Sequence, residues 1–269
     1  MNRLLELERP ADGEAQLFRL STFISFLLAA VLLGWLGIHV KWGFVSELNF
    51  LELWPYRVAL LRGLMLTLMI SVLAIVIGLV VGIILAILLQ LQVRPIRWMV
   101  KTYVEIARST PLIVLLFWVH YALPHLTGVE TTALESGLIA IVFQASGYLA
   151  DISRAGIQAV PLGQFEAAYA LGLRARTKWL TVILPQALKV MIPPLANVSI
   201  SFFKATSILS VITVGELMSM GLRVSETNFR PIETLTFCGF IYIALGILFS
   251  RGTQALERLT AERSRRVGG

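Results

Sequence analysis

Residues 163–185 read GQFEAAYALGLRARTKWLTVILP, the longest break between two strongly apolar segments. The stretch therefore belongs in water at a membrane face, yet it is not written as an ordinary polar loop. Phe165, Ala168, Tyr169 and Leu171 recur at helical spacing, and Ala167 and Ala168 keep one flank thin enough for close approach by another surface. Gly172 stands where a left-handed residue ends a short helix. The basic residues Arg174, Arg176 and Lys178 come next, and Leu184-Pro185 opens the following apolar run. A short helix projecting from a membrane body is a docking element.

The rest of the chain sets the medium. Of its 269 residues 57% are hydrophobic and only 14% are charged, against roughly 25% charged in a soluble globular domain. Several apolar runs approach or exceed the ~20 residues needed to cross a bilayer, which predicts an all-α, polytopic transmembrane bundle. The single cysteine, Cys238, lies in an apolar run and offers no disulfide framework. His120 and His125 have no partners at metal-ligand spacing and read as packing or interfacial residues, so neither a metal site nor a catalytic set is expected. The net charge of +7 admits nucleic acid as a partner, but in a membrane protein positive-inside topology explains it better.

Six spans are expected. Residues 1–19 form a polar tail, and the apolar run 20–40 is a retained span, with no convincing small-residue cleavage site behind it. The second span covers 62–91 and carries Gly78 and Gly82, a small-xxx-small pair suited to close helix packing. A short basic turn contains Arg94, Arg97 and Lys101; the third span, 98–124, is broken near Thr110-Pro111. The fourth covers 135–158, and the docking loop follows. The fifth covers 184–214 with an interruption at Pro193-Pro194. An outer loop holds Glu216, Arg223, Glu226 and Arg230, and the sixth span, 232–249, ends in a tail with five arginines from Arg251 to Arg266. With both termini inside, 16 basic residues fall on the inner side and 5 on the outer, while Arg108 and Lys204 are left at membrane depth. That asymmetry places the docking loop in the cytoplasm. No internal repeat is evident, and no G-x-x-x-x-G-K phosphate loop occurs, so energy has to come from another chain.

The spacing Glu166-Ala167-Ala168, Gly172, Val182, Leu184-Pro185 resembles the cytoplasmic signature of permease subunits of ABC importers, with valine where that family usually has isoleucine. Three further blocks are similar to the polar amino acid branch of the binding-protein-dependent transport inner membrane components (histidine, glutamate, glutamine, arginine and opine type). They are YVEIARSTP from Tyr103, GYLADISRAGIQ from Gly147 and PPLANVSISFFK from Pro193. The resemblance covers residues 60–259 and implies a five-helix importer core with one extra helix in front. It divides the chain into a cytoplasmic tail (1–19), an extra span and outer loop (20–57), an importer transmembrane domain (58–259) with a coupling loop (159–185), and a basic cytoplasmic tail (260–269). It also implies a bacterial inner-membrane location and partners: two ATP-binding cassette subunits that hold ATP and magnesium, a second permease, and an extracytoplasmic solute-binding protein. Besides membrane lipid these are the partners expected, and nucleic acid is not among them.

Within that resemblance Glu166, Ala167, Ala168, Gly172, Leu184 and Pro185 are the residues expected to couple to the ATPase. Taken alone, Glu166 reads equally as a solvated carboxylate near the positive end of a helix. Lys204 stands mid-span in SISFFKATS, where a charge is costly and faces a wet cavity or a partner. The aspartate that commonly follows this lysine in the family is Ala205 here. Glu105 and Arg108, and likewise Asp151 and Arg154, are three apart and can pair on one helix face. The first pair, beside the Thr110-Pro111 break, either lines a substrate path or anchors the helix; for the second, anchoring is the better reading. Gln144 and Tyr148 share a face of the fourth span, where they serve a zwitterionic solute or simply satisfy the core. The rival classes are an intramembrane enzyme and a stand-alone channel. The first lacks its chemistry here, and neither explains the docking loop.

Overall fold

The computed structural model describes residues 12–39 and 41–267, and all regular structure among them is helical. Residues 1–11 of the N-terminal tail and Gly268 and Gly269 of the C-terminal tail lie outside the described residues. The chain divides into two compact units, 1–49 and 50–269. In the first, α1 (Asp12–His39) and the short α2 (Trp42–Ser46) follow one another. The segment Leu20–His39 is long and apolar enough to cross a membrane.

In the second unit a 3₁₀ turn (Phe50–Tyr56) leads into α3 (Arg57–Leu88). Then come α4 (Arg94–Ser109), α5 (Leu112–Phe117), a π turn (Trp118–Ala122) and α6 (Leu123–Thr127). After α7 (Ala133–Gln158) come α8 (Leu162–Ala170), α9 (Ala175–Thr177), a second π turn (Lys178–Ile183) and α10 (Leu184–Ala205). A 3₁₀ extension (Thr206–Ile212), α11 (Leu217–Asn228) and α12 (Pro231–Val267) complete it. Four segments of this unit, Phe50–Leu88, Ala133–Gln158, Ala175–Ile212 and Pro231–Thr253, are long and apolar enough to span. The pair Arg94–Ser109 and Leu112–Thr127, bent by 106°, makes a sixth span of the described chain if counted as one.

The core forms where α3, α5, α7 and α10 meet, around Ile70, Leu116, Ile141, Leu149 and Phe202. Gly78 and Gly82 let α3 lie against α7 almost backbone to backbone. A Cβ at Gly82 would stand 2.7 Å from the Leu149 carbonyl carbon. In lipid, helices gain nothing by hiding apolar surface from one another, so close dispersion contact of this kind supplies the association. The start of α7 is fixed by a capping box, in which Thr132 and Glu135 satisfy each other's backbone N–H groups.

The break at Thr110-Pro111 occurs where expected, and its cause is local. Thr110 precedes a proline and is extended (φ −81°, ψ 126°). Gln144 of α7 donates its amide to the Thr110 carbonyl at 2.8 Å, so the opened turn is not left unsatisfied.

Two expectations are corrected. Pro193 and Pro194 do not interrupt the fifth span; α10 runs through them. Their missing N–H groups leave the carbonyls of Lys189 and Val190, both exposed residues, without their usual helix donors. The stretch 215–230, expected as an outer loop, carries α11. Glu216, read as a loop residue, is fully buried and caps that helix, accepting from Met218 N and Ser219 N, both at 2.8 Å, and from the Tyr242 hydroxyl at 2.9 Å.

Candidate functional site

The segment expected to dock is a helix with a left-handed end. Just past α8, Gly172 takes φ +65°, its N–H bonds Tyr169 O at 2.9 Å, and the N–H of Leu173 reaches back to Ala168 O at 3.1 Å. These two bonds are the Schellman closure, which needs a left-handed residue at that place. A Cβ at Gly172 would meet nothing within 4 Å, so the glycine is demanded by backbone conformation and not by space. Inward, Phe165 meets Trp179 edge to face with ring centres 6.3 Å apart, and Gln186 donates to Gln164 Oε1 at 3.2 Å. The helix is thus braced on the π turn and the first turn of α10.

That bracing corrects one expectation. Ala168, assigned to the ATPase-facing flank, is only 2% exposed and points into its own chain, on the side that Phe165 also takes. The free face carries Glu166, Ala167, Tyr169 and Leu171; Tyr169 is 84% exposed and Leu171 75%. Leu184 and Pro185 stand where the π turn runs without a break into α10, the Leu184 N–H bonding Trp179 O.

The residues singled out at membrane depth separate into two places. On the α4–α7 side, Arg108 forms an ion pair with Asp151, their side chains 39% and 36% exposed. The Arg108 guanidinium lies 5.6 Å from the centre of the Tyr148 ring, and the Tyr148 hydroxyl donates to the Arg108 carbonyl at 3.4 Å. Glu105 does not pair with Arg108 but accepts from Ser109 at 3.4 Å. Nor does Asp151 pair with Arg154. Each same-helix pairing gives way because the two helices touch. A Cβ at Gly147 would stand 2.7 Å from Ala107 Cβ, so Arg108 arrives beside the residue one turn past Gly147, which is Asp151. The sequence carried that signal as two small residues, Ala107 beside Arg108 and Gly147 one turn before Asp151. Gln144, 8% exposed, spends its amide on the break at Thr110.

Lys204 lies elsewhere. Its neighbour Phe202 packs on Tyr148, whereas Lys204 turns to the other side of α10, toward α12. There it lines a cavity of about 710 Å³ with Ile200, Tyr242, Gly246, Ser250 and Arg251, and none of the lining residues is acidic. Among the described residues no cluster of three or more His, Cys, Asp or Glu side chains has metal-binding geometry.

The described helices form an apolar bundle long enough to span a membrane, with the exposed helix α8 between two of its spans. Residues 78–262 match the family described as the binding-protein-dependent transport system inner membrane component, and the chain belongs to that family. An L-cystine transport system permease protein of Bacillus subtilis (strain 168) is 34% identical over 224 residues, 83% of this chain and 92% of that one. A glutamate/aspartate import permease protein of Escherichia coli O157:H7 is 32% identical, covering 62% of this chain and 78% of its own length. A crystal structure of an amino acid ABC transporter with histidines superposes with a TM-score of 0.72 at 33% identity, over 79% of this chain and 99% of that one. The MetNI methionine ABC transporter, with a TM-score of 0.66 and 21% identity, shares the fold. The chain is therefore a multi-pass inner-membrane permease subunit of an ABC importer. It is a transport subunit and not an enzyme; the ATPase is a separate subunit, and a partner permease and a binding protein complete the system.

Proposed function

We propose that the chain moves polar amino acids or closely related small zwitterions into the cell, paired with one further permease, a second copy or a paralogue. Two ATPase subunits carry ATP and magnesium below it, and one binding protein delivers solute from outside. Both termini and α8 lie on the ATPase side, as the basic-residue asymmetry argues. ATP-driven closure of the partners pushes α8, and the paired permeases rock between inward and outward openings. Residues 58–259 do this work, and residues 159–185 couple it to ATP. The observation that carries the proposal is α8 itself: a braced helix with Glu166, Ala167 and Tyr169 on its free face, closed by Gly172. Small residues admit a facing groove, and the carboxylate fixes register. Arg108, Tyr148, Glu105 and Gln144 on one side and Lys204 on the other are the candidates for lining the solute's path.

The test pairs two measurements on Gly172→Val and Ala167→Trp: ATPase co-purified per permease, and amino acid uptake into vesicles. Both variants are expected to insert normally and then to lose the ATPase or to uncouple hydrolysis from uptake. Parental behaviour of both in both measurements would make the segment a passive loop. Reporters fused at each terminus are expected to read the cytoplasm and one near Glu226 the outside; termini on opposite sides would overturn the six-span topology.

A further inference from the structure

Lys204 and Arg251 share one cavity of about 710 Å³ between α10 and α12. Gly246 admits the lysine: a Cβ there would stand 3.5 Å from Lys204 Cε, so the lysine stem lies along the α12 backbone. Arg251 comes five residues further along α12, about 7.5 Å at 1.5 Å per residue. The face of α10 that carries Lys204 is polar for a spanning segment. Asn197, Ser201 and Lys204 recur there at helical spacing, and all three are exposed. Lipid solvates neither an ammonium nor an amide, so this face meets water, a solute or another protein.

The charge of this cavity is unbalanced. Among the described residues neither Lys204 nor Arg251 forms an ion pair, and none of the lining residues is acidic. Residue 205 is alanine, so α10 supplies no counter-charge beside the lysine. Glu216 reaches the lining through the Tyr242 hydroxyl, but it is fully buried and turned to the backbone N–H groups of Met218 and Ser219. The Arg108–Asp151 pair, by contrast, is neutral as it stands. We infer that the Lys204 cavity selects solutes by net charge, Lys204 with Arg251 behind it taking the extra carboxylate of an amino acid with an acidic side chain. Such a solute brings the anion that the two cations lack. An amide side chain of the same size brings none, and a guanidinium brings a third cation, which surroundings of low dielectric penalise. The expected order of preference is anionic, then neutral, then cationic.

This inference rests on the amino acid reading above and adds the sign of the solute's charge; its test separates the two. The permease–ATPase complex is reconstituted without binding protein in phosphatidylcholine nanodiscs, so neither another protein's selectivity nor an anionic headgroup enters. Equilibrium binding of radiolabelled L-glutamate, L-glutamine and L-arginine is measured to the parent, Lys204→Arg, Lys204→Met and Lys204→Glu. The parent is expected to bind L-glutamate at least about tenfold more tightly than L-glutamine, the worth of one hydrogen bond to a charged group, with L-arginine weaker still. Lys204→Arg is expected to keep that order and Lys204→Met to lose most of the advantage of L-glutamate. Lys204→Glu is expected to place L-arginine ahead of L-glutamate, and all three variants to co-purify with the ATPase as the parent does. L-glutamate bound by the parent no more tightly than L-glutamine, or an order unmoved by Lys204→Met, would overturn the inference. Failure of Lys204→Met to assemble while Lys204→Arg assembles would overturn it equally, by making the lysine the partner of an acidic group on the second permease. If the complete importer with its binding protein took up only neutral or cationic amino acids, the charge preference alone would fall. Uptake of no amino acid at all would bring down the amino acid reading itself.

Discussion

Gly82→Ala isolates the contact on which the position of α7 depends. The new methyl would stand 2.7 Å from the Leu149 carbonyl carbon and 2.8 Å from Ala150 N, where ordinary contact begins near 3.4 Å. Both neighbours are backbone, so no side chain can swing aside and α7 itself has to retreat by roughly 0.7 Å at that point. Overpacking of this sort costs about 1–3 kcal/mol. Against it, alanine is the better helix former by up to about 1 kcal/mol. Gly239 in α12 provides the control, because a Cβ there meets nothing within 4 Å and only the propensity gain remains. Gly82→Ala should therefore fall below Gly239→Ala by about 1–3 kcal/mol, a melting difference of several degrees at about 2–4 °C per kcal/mol. Gly78→Ala should fall between them, since its closest neighbours are the side-chain atoms Ala145 Cβ and Leu149 Cδ1, both at 3.0 Å. The assay is thermal unfolding of the detergent-purified chain, followed by uptake for whichever variants survive. A Gly82→Ala protein that melts at or above Gly239→Ala would refute the claim that α3 and α7 are in backbone contact.

Further outcomes are expected from three sites. Ala168→Trp should lower the melting temperature of the permease by itself, before any ATPase is added, because residue 168 is enclosed by its own chain; normal melting would return it to the free face of α8. Lys204→Met should assemble normally and impair uptake, since no acidic side chain lines its cavity to be left unpaired. Full uptake would remove Lys204 from the path. Glu216→Ala strands two N–H groups and the Tyr242 hydroxyl, each worth about 1–3 kcal/mol when buried without a partner. Glu216→Gln keeps an acceptor and should be the milder change, all the more because burial pushes the Glu216 carboxyl pKa up and so disfavours the charge that glutamine lacks; equal melting of the two would refute the cap.

The spans, the break before Pro111, the glycine pair on α3 and the left-handed Gly172 were all legible in the sequence, because each follows from the chemistry of a few neighbouring residues. What was not legible depended on contacts between distant segments. Arg108 has acidic residues at 105 and 151, and only the approach of α4 to α7 through Ala107 and Gly147 selects the second. Ala168 and Ala167 are indistinguishable by composition, and which one faces inward was decided by the seat of Phe165 on Trp179. Stretch 215–230 is polar enough to read as a loop, and its helix is fixed by a buried carboxylate whose third partner, Tyr242, is 26 residues further on.

The joint between α8 and α10 has a mechanical consequence. Phe165 on Trp179 and Gln186 on Gln164 tie the short helix to the base of the long one at two points. If α8 couples to a partner as proposed, the two would work as a bell crank, with the intervening turns as its elbow. A displacement imposed on the short arm would then reach the foot of the long arm as rotation. The first place where the long arm is soft is the proline pair at 193 and 194, two and a half turns above the elbow. Stiffness below that point and compliance at it would let the lower end of α10 swing while its upper end stays seated in the core.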